Sequence, residues 1–422
     1  MDSQDIDLSL RIFILSKTYS AINTYFAHWK SIPELEIDTL YNMIIPRITR
    51  TSNRYEFDLI MMEFFSHLQN GHTWYKDNWL ELEYGKNFDF TFTYLKDKWV
   101  ITSSKESELS PGDIIASINN EDFNAFFGRM EKYISASSKR AKRNKFYSFN
   151  FLFPKQFSII LEDGKNVEIK QVRKKNSSGS KIDPLKPTQT SIQDKDIVYI
   201  KIPSFGLPKY EREVIQFLEL SLDSKALIID VRKNSGGSTP IKLISNLMDR
   251  PYRSWSVSTK LSIGVFRYYS EFFKRLLDKH DPLNEGYSEI YNKFQQYSYF
   301  QDPHMLWYST YEKPIKECYK GKIAILTDGM TGSAAEDFVQ PFKDNKRAII
   351  IGEKTKGTTG EPYQYSFDNG ITIYVGAKRA YFPDGSEFEG VGISPDIEII
   401  PTIESLRRKE DIVLERAISE LS

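Results

Sequence analysis

The chain has 422 residues, with 57 acidic and 57 basic side chains, so its formal net charge is zero. That length allows about two to four domains, and the charge balance argues against nucleic acid or an anionic membrane as a partner. The single cysteine, Cys318, excludes an intramolecular disulfide framework and any cysteine-based metal cluster. We expect a globular protein that uses no metal and no other cofactor.

Residues 1–82 are predicted to form a helical N-terminal domain. Apolar residues recur at alternate spacings of three and four from Leu8 to Trp29, which indicates an amphipathic helix. A second helix is predicted to begin after Asn53, where Glu56 completes a capping box. Asn70-Gly71 supplies its stop signal.

The N-terminus lacks the features of a secretion signal. Its apolar run from Leu8 to Leu15 is interrupted by Arg11, and no small-residue cleavage site follows. No window is long enough to span a membrane. A cytoplasmic location is therefore expected, or a secreted or periplasmic one if a leader has been removed.

Residues 83–175 are predicted to form a small β domain. The hydrophobic period changes from 3.6 to 2, and aromatic residues alternate with polar ones from Phe88 to Tyr94. A Pro111-Gly112-Asp113 turn that runs into an apolar strand resembles a PDZ domain, which binds an extended peptide as an added strand. The alternative is an ordinary small β domain. Residues 176–194, rich in Ser, Lys and Pro, are predicted to be a linker.

Residues 195–422 alternate strand and helix patterns. This alternation predicts an α/β domain with a mainly parallel sheet, interrupted by a less regular aromatic insertion at 251–318. The predicted fold class is thus a multidomain α+β protein with a helical N-terminal region, a PDZ-like β domain and an α/β domain. The predicted strands of the α/β domain are 197–202, 226–231, 322–327 and 347–351.

Ser333 lies where a predicted strand meets a predicted helix. A serine at such a turn presents its hydroxyl over the sheet edge, beside a helix N-terminus that favours negative charge. The same arrangement holds the nucleophile of other hydrolases. On these residues alone, the alternative is an ordinary helix cap, with Glu336 completing a capping box.

Two adjacent glycines, Gly236 and Gly237, follow the strand predicted at 226–231. Glycines at the carboxyl end of a parallel strand let backbone N–H groups approach a ligand closely. Beside a nucleophile, such a loop can form an oxyanion hole. A plain tight turn is the alternative, and the spacing and lysine of a phosphate-binding P-loop are absent.

A serine nucleophile needs a base, and the chain offers five histidines. His28 and His67 lie within helical patterns, whereas His280 and His304 lie in the aromatic insertion. His72 lies in a Gly-His-Thr turn that could reach a cleft between domains. The residues alone therefore rank His72 first.

Several motifs occur in a characteristic order. Together with the PDZ-like segment, they resemble the C-terminal-processing (tail-specific) serine peptidase family over roughly residues 85–400, and Gly71-His72-Thr73 extends the resemblance to its tricorn-like branch. The motifs are Asp230–Gly237, Gly332–Glu336, Gly352–Thr355 and Glu389–Asp396.

The resemblance implies which residues carry the chemistry. The lysine base of the processing proteases corresponds to Thr358 here, with Lys354 and Lys356 out of register, so a histidine base is expected. The nucleophile, base and orienting carboxylate then fall on the catalytic residues Ser333, His72 and Glu389, and the oxyanion donors on Gly236 or Gly237 and Ala334.

One link of the tricorn-like arrangement is missing from the sequence pattern. Tricorn has a serine just before its histidine, which joins that histidine to the glutamate, whereas this chain has Gly71. Thr73 or a water molecule is the expected replacement.

The predicted function is that of a serine endopeptidase acting on polypeptide substrates. Acylation of Ser333, with His72 as general base, would hydrolyse peptide bonds in unstructured or C-terminal segments. The alternative is a non-catalytic peptide- or lipid-binding protein on the same fold.

Overall fold

The computed structural model of the chain describes residues 6–85, 88–171, 183–192, 195–277, 304–307, 309–315 and 318–422. Parts of the predicted linker (176–194) and of the aromatic insertion (251–318), including His280, lie outside these residues. The α-helices are α1 Leu8–Tyr25, α2 Ile37–Thr49, α3 Arg54–Ser66, α4 Asn78–Tyr84, α5 Phe123–Met130, α6 Lys139–Lys145, α7 Pro208–Glu219, α8 Ile241–Leu247, α9 Ile263–Leu277, α10 Ala334–Asn345, α11 Ile403–Arg408 and α12 Ile412–Leu421.

The strands are named in the same way, in chain order. They are β1 Trp74–Asp77, β2 Phe90–Leu95, β3 Lys98–Ser104, β4 Ile114–Ile118, β5 Glu121–Asp122, β6 Gln156–Leu161, β7 Asn166–Lys170, β8 Thr188–Ile192, β9 Ile197–Lys201, β10 Ala226–Asp230, β11 Tyr252–Arg253, β12 Ser256–Lys260, β13 His304–Trp307, β14 Tyr311–Glu312, β15 Lys322–Thr327, β16 Ile349–Gly352, β17 Pro362–Ser366, β18 Ile371–Gly376, β19 Arg379–Tyr381 and β20 Ile397–Glu398.

The N-terminal region is helical, as predicted, and its helices begin at side-chain caps. The Asp7 carboxylate accepts the Leu10 N–H at the start of α1, and the Asn53 side chain accepts the Glu56 N–H at the start of α3. Helix α2 is an addition to the two predicted helices.

The N-terminal helices share one hydrophobic core with a late hairpin of the chain. Strand β1 pairs antiparallel with β18, and buried Phe57 and Phe65 belong to the same core as Ile373. The boundary at residue 82 stays a prediction, but this core crosses it. Because His72 lies two residues before β1, the pairing anchors His72 to the second half of the chain.

Strands β2, β3, β4, β6 and β7 form an antiparallel sheet over an aromatic core. Phe90 and Phe92 of β2 are buried, whereas Thr91 and Thr93 between them are partly exposed, as the predicted alternation requires. The core also contains Trp99, which is 1% exposed. The PDZ interpretation of this sheet stays a prediction.

The second large sheet has the order β20-β16-β15-β10-β9-β8. Every neighbouring pair is parallel except β8 with β9, so the predicted mainly parallel sheet and mixed fold class are confirmed. Leu227 and Ile229 face α7, α8 and α10, whereas Ala226 and Ile228 face α12.

Two neighbouring strands of this sheet carry the two predicted site loops. Strands β10 and β15 are parallel neighbours, with Asp230 paired to Leu326, and each ends just before one of the loops. The carboxyl ends of parallel strands meet at one edge of a sheet. The double-glycine loop and the turn to Ser333 therefore lie side by side.

None of the helices in the described ranges is long and apolar enough to cross a membrane. The cytoplasmic location expected from the N-terminus stays a prediction.

Candidate active site

Ser333 occupies the sharp turn between β15 and α10. Its backbone has φ 55° and ψ −127°, a conformation that residues other than glycine seldom adopt and that costs about 1–3 kcal/mol. The Ser333 N–H is held by the carbonyl of Thr358 at 3.0 Å and by Glu336 Oε2 at 3.1 Å. These bonds fix the strained turn from which the hydroxyl projects.

His72 lies within hydrogen-bond distance of that hydroxyl. Its Nε2 is 3.1 Å from Ser333 Oγ, and its Nδ1 is 2.9 Å from Thr358 Oγ1. Of the other histidines whose side chains the structure describes, His28 is buried against Phe26, and His67 is exposed at the end of α3. The structure thus brings the predicted base to the predicted nucleophile.

Thr358 is the link to Glu389 that the sequence pattern lacked. Its hydroxyl donates to Glu389 Oε1 at 3.0 Å, which leaves its oxygen to accept a hydrogen bond from His72 Nδ1–H. With Nδ1 protonated, Nε2 is the acceptor for Ser333. The predicted alternative, Thr73, is placed elsewhere, because its hydroxyl donates to Asn70 and accepts the Gly376 N–H.

Gly71 explains why the hydroxyl can come from position 358. A Cβ at position 71 would stand 2.6 Å from Thr358 Cγ2 and 2.7 Å from its Oγ1. The Thr358 side chain therefore fills the space that a side chain at position 71 would need. The sequence signal was available, since Thr358 stands where the resemblance would place a lysine.

Glu389 Oε1 is held by two further residues that the sequence analysis missed. It accepts hydrogen bonds from Asn70 Nδ2 at 2.8 Å and from Ser137 Oγ at 2.5 Å. Ser137 Oγ also accepts the N–H of Gly71 at 2.8 Å. No local motif marks either residue, because both contacts depend on how distant segments pack.

Burial shifts the titration of both partners in this chain of contacts. It lowers the pKa of His72 to about 3, with the positive charges of Lys356 and Lys145 acting in the same direction. Burial raises the pKa of Glu389 to about 7, although its hydrogen bonds from Ser137 and Thr358 oppose the rise. His72 is therefore neutral at neutral pH, the form that can accept a proton.

The double-glycine loop approaches Ser333 closely, but its two glycines differ. A Cβ at Gly236 would stand 2.5 Å from Ser333 Cβ, and the Gly236 N–H already donates to Asn234 Oδ1 at 2.9 Å. In the described part of the chain, no acceptor takes the N–H of Gly237 or of Ala334. The missing side chain of Gly236 therefore leaves space for Ser333, whereas Gly237 and Ala334 each have a backbone N–H group free to donate a hydrogen bond.

Glu336 ties the nucleophile turn to the loop that carries Thr358. Its buried carboxylate accepts from Thr355 Oγ1 at 2.6 Å and from the N–H groups of Gly357 at 2.7 Å and Thr358 at 3.1 Å, besides that of Ser333. Burial raises its pKa to about 8 against these bonds. Its predicted capping role thus extends to positioning Thr358.

Ser333 and His72 open onto a cleft of about 920 Å³ between the three regions of the chain. Its walls include Trp74 from the N-terminal region, Phe149 from the β domain and Trp255 from the α/β domain. Such a mixed, partly aromatic cleft can hold a peptide. Among the residues that the structure describes, no group of His, Cys, Asp or Glu side chains is arranged to hold a metal ion.

Peptidase family S41 is the family that matches the chain, over residues 196–399, and this span contains Ser333, Thr358 and Glu389. The chain carries an S41 peptidase domain. The tail-specific protease of Haemophilus influenzae is 26% identical over 244 residues, which cover 54% of this chain and 29% of that protein. The chloroplastic carboxyl-terminal-processing peptidase 2 of Arabidopsis thaliana is 26% identical over 204 residues, 47% of this chain and 31% of its own.

The S41 match confirms the predicted peptidase family for residues 196–399, and the names of these relatives are those of tail-specific and carboxyl-terminal-processing peptidases. The chain spans less than half the length of the curated relatives it matches. Among solved structures, mature CPAF complexed with lactacystin superposes with a TM-score of 0.71 at 15% identity and covers 97% of both chains. At that identity the likeness shows the fold alone.

Proposed function

We propose that this S41 protein is a serine endopeptidase with Ser333 as nucleophile, His72 as general base and Glu389 as the orienting carboxylate. The observation that carries the proposal is the unbroken series of contacts from Ser333 Oγ through His72 and Thr358 to Glu389. Each contact lies in the range expected of a nucleophile, its base and the groups that orient the base.

The first chemical step follows from these contacts. As Ser333 Oγ bonds to the substrate carbonyl carbon, its proton passes to His72 Nε2. The imidazolium keeps its Nδ1–H on Thr358, whose own proton points to Glu389, so the carboxylate stabilises the new positive charge through one hydroxyl.

The oxyanion is proposed to bind the free N–H groups of Gly237 and Ala334, and loss of one such donor typically costs ~10²–10³ in rate. Collapse of the tetrahedral intermediate breaks the C–N bond, and His72 Nε2–H protonates the leaving amine. A water molecule then attacks the acyl carbon while His72 Nε2 takes its proton. The bond to Ser333 Oγ breaks, His72 returns the proton to Oγ, and the product leaves as a carboxylic acid.

The substrates are proposed to be unstructured or C-terminal segments of polypeptides. A cleft shared by three regions admits an extended chain more readily than a folded domain. The relatives named tail-specific and carboxyl-terminal-processing support the same substrate class.

The test is covalent labelling by a fluorophosphonate, followed by peptide mapping. The proposal expects the label on Ser333, no label in Ser333→Ala, and cleavage of an unfolded protein only by the wild type. Failure of the wild type both to label and to cleave would favour the alternative, a non-catalytic peptide- or lipid-binding protein.

A further inference from the structure

Two lysine side chains outside the proposed relay face the same cleft as Ser333. Lys356 and Lys145 both line it, and both are partly buried. Lys356 Nζ lies 3.5 Å from the point where a Cβ on Gly332 would stand, and its Cδ lies 2.8 Å from that point. Because Gly332 directly precedes Ser333, this ammonium group lies beside the nucleophile.

Neither lysine forms an ion pair with a carboxylate in the described part of the chain. Lys145 Nζ donates to the carbonyl oxygen of Ser135 at 3.0 Å, and Lys356 is influenced by Glu336 and Glu389 only through their charges. Lys378, a third lysine of the cleft, differs, because it pairs with Glu361 at 2.6 Å. The cleft therefore holds two lysines that have no ion-pair partner among the described residues, and burial lowers the pKa of both.

Asp337, another carboxylate of the cleft, has hydrogen-bond partners of its own. It accepts hydrogen bonds from Thr239, Thr359 and Trp255. A partly desolvated charge gains most from an opposite charge that the ligand brings. The group that best complements the two lysines is an anion on the substrate.

We propose that Lys356 and Lys145 form a carboxylate subsite beside Ser333, and that the enzyme prefers peptides with a carboxylate next to the bond it cleaves. The carboxylate can come from an acidic side chain or from a free C-terminus. This inference rests on the proposed peptidase function and adds to it the charge of the preferred substrate.

The electrostatics of the base support the proposal. The charges of Lys356 and Lys145 both act against the protonated form of His72, which arises when Ser333 transfers its proton. A substrate carboxylate between the lysines would offset those charges during proton transfer. The preference should therefore appear in kcat as well as in KM.

The experiment uses matched peptides and the full chain. Internally quenched peptides carry Glu or Gln at one position at a time around the cleaved bond, and a second pair carries a free or an amidated C-terminus. We expect one Glu peptide, or the free acid, to be cleaved about tenfold faster in kcat/KM than its neutral partner, the scale of one hydrogen bond to a charged group. The pair whose two peptides are cleaved at different rates identifies the source of the carboxylate.

Variants assign the preference to the lysines. Lys356→Met should reduce the Glu-to-Gln ratio to about one, and Lys356→Glu should make a Lys peptide the better substrate. Lys354→Met is the matched control, because Lys354 does not line the cleft, and its ratio should equal that of the wild type. If Lys356→Met does not fold, Lys145→Met provides the same comparison.

Three results would overturn the proposal. No pair discriminates in the wild type; or the preference survives in both Lys356→Met and Lys145→Met; or the wild type neither labels with fluorophosphonate nor cleaves any peptide. The third would also remove the proposed function, whereas labelling without discrimination would remove the carboxylate subsite alone.

Discussion

At the scale of single residues, the site depends on one hydroxyl coming from an unexpected position. Thr358 and His72 are 286 residues apart in sequence, yet their side chains meet at 2.9 Å. The contact is possible because Gly71 has no side chain in that space. The Thr358 side chain therefore occupies the space that the absence of a side chain at Gly71 leaves free.

Replacing Thr358 with valine should keep the shape of the side chain and remove the hydroxyl that joins His72 to Glu389. We expect kcat/KM to fall about 10²-fold, within the range that general-base catalysis contributes, with little change in thermal stability. Thr358→Ser keeps the hydroxyl and should retain most of the activity. Equal activity in Thr358→Val and the wild type would show that Glu389 does not act through this hydroxyl.

A hydroxyl at position 71 should be able to replace the hydroxyl of Thr358 as the link between His72 and Glu389. Gly71→Ser alone introduces a Cβ within 2.6 Å of Thr358 and should reduce activity and stability. In the Thr358→Ala background that space is empty, so Gly71→Ser should recover activity relative to Thr358→Ala alone. Measuring kcat/KM for the wild type, both single variants and the double variant gives the coupling between the two positions. Additive losses would contradict the idea that either position can supply the link.

The dependence of kcat/KM on pH should follow the ionisation of Glu389 and not that of His72. Burial raises the pKa of Glu389 to about 7, so the carboxylate is neutral below that pH and charged above it. His72, with a pKa of about 3, stays neutral across the same range. Since only charged Glu389 stabilises the imidazolium, kcat/KM should rise with pH through about 7.

Glu389→Gln provides the control for this assignment. Its activity should be low and should lack the rise through pH 7, because the group with that pKa is gone, whereas Glu336, with a pKa of about 8, remains in both proteins. Arg379 and Lys356 face the Glu389 carboxylate as nearby positive charges, and both remain in this variant. A rise through pH 7 that persists in Glu389→Gln would assign the titration to another group.

At the scale of elements, one strand pair connects the base to the rest of the site. Strand β1 begins two residues after His72 and pairs with β18, and the buried Arg54 side chain bonds to both segments at one end of this pairing. Arg54 bonds Asp77 of β1 through Nε at 2.6 Å and the carbonyl oxygen of Asn369, in the turn before β18, through Nη2 at 2.8 Å. Both side chains of the ion pair are fully buried.

Breaking this ion pair should destabilise the protein and displace the base. Arg54→Met leaves the Asp77 carboxylate buried without its partner, which typically costs about 3–5 kcal/mol. Urea unfolding should show that loss, and fluorophosphonate labelling of Ser333 should slow because His72 is less well held. Arg47→Met is the matched control, since its pair with Glu63 is exposed and should cost at most about 1 kcal/mol. Equal losses in the two variants would contradict this account.

The sequence was most informative about the elements where the signal is local. The period changes predict the helical start, the alternating strand at Phe90–Leu95 and the parallel sheet, because each depends on residues close together in the chain. The pairing of β1 with β18 could not be predicted in that way, because it joins distant segments. Asn70 and Ser137 were missed for the same reason, whereas Thr358 was marked in the sequence as the residue at the lysine position of the family.

At the scale of the whole molecule, the site is assembled from all three regions. His72 and Asn70 come from the N-terminal region, Ser333 and Glu389 from the α/β domain, and Ser137 from the segment between α5 and α6. Ser137 is the point where the β domain contacts the proposed relay, since it holds both Glu389 and the backbone of Gly71. How this domain packs should therefore affect the chemistry directly.

Ser137→Ala tests that connection with a readout that simple destabilisation would not produce. The Ser137 hydrogen bond lowers the pKa of Glu389, so its loss should raise that pKa further above its ordinary range. The rise of kcat/KM should then move to higher pH, by about one unit if the bond contributes ~1.4 kcal/mol. Ser138→Ala removes the neighbouring cap of α6 without touching Glu389, so it should lower stability and leave the pH profile in place. A profile that shifts equally in both variants, or in neither, would mean that the β domain does not act on the site through Ser137.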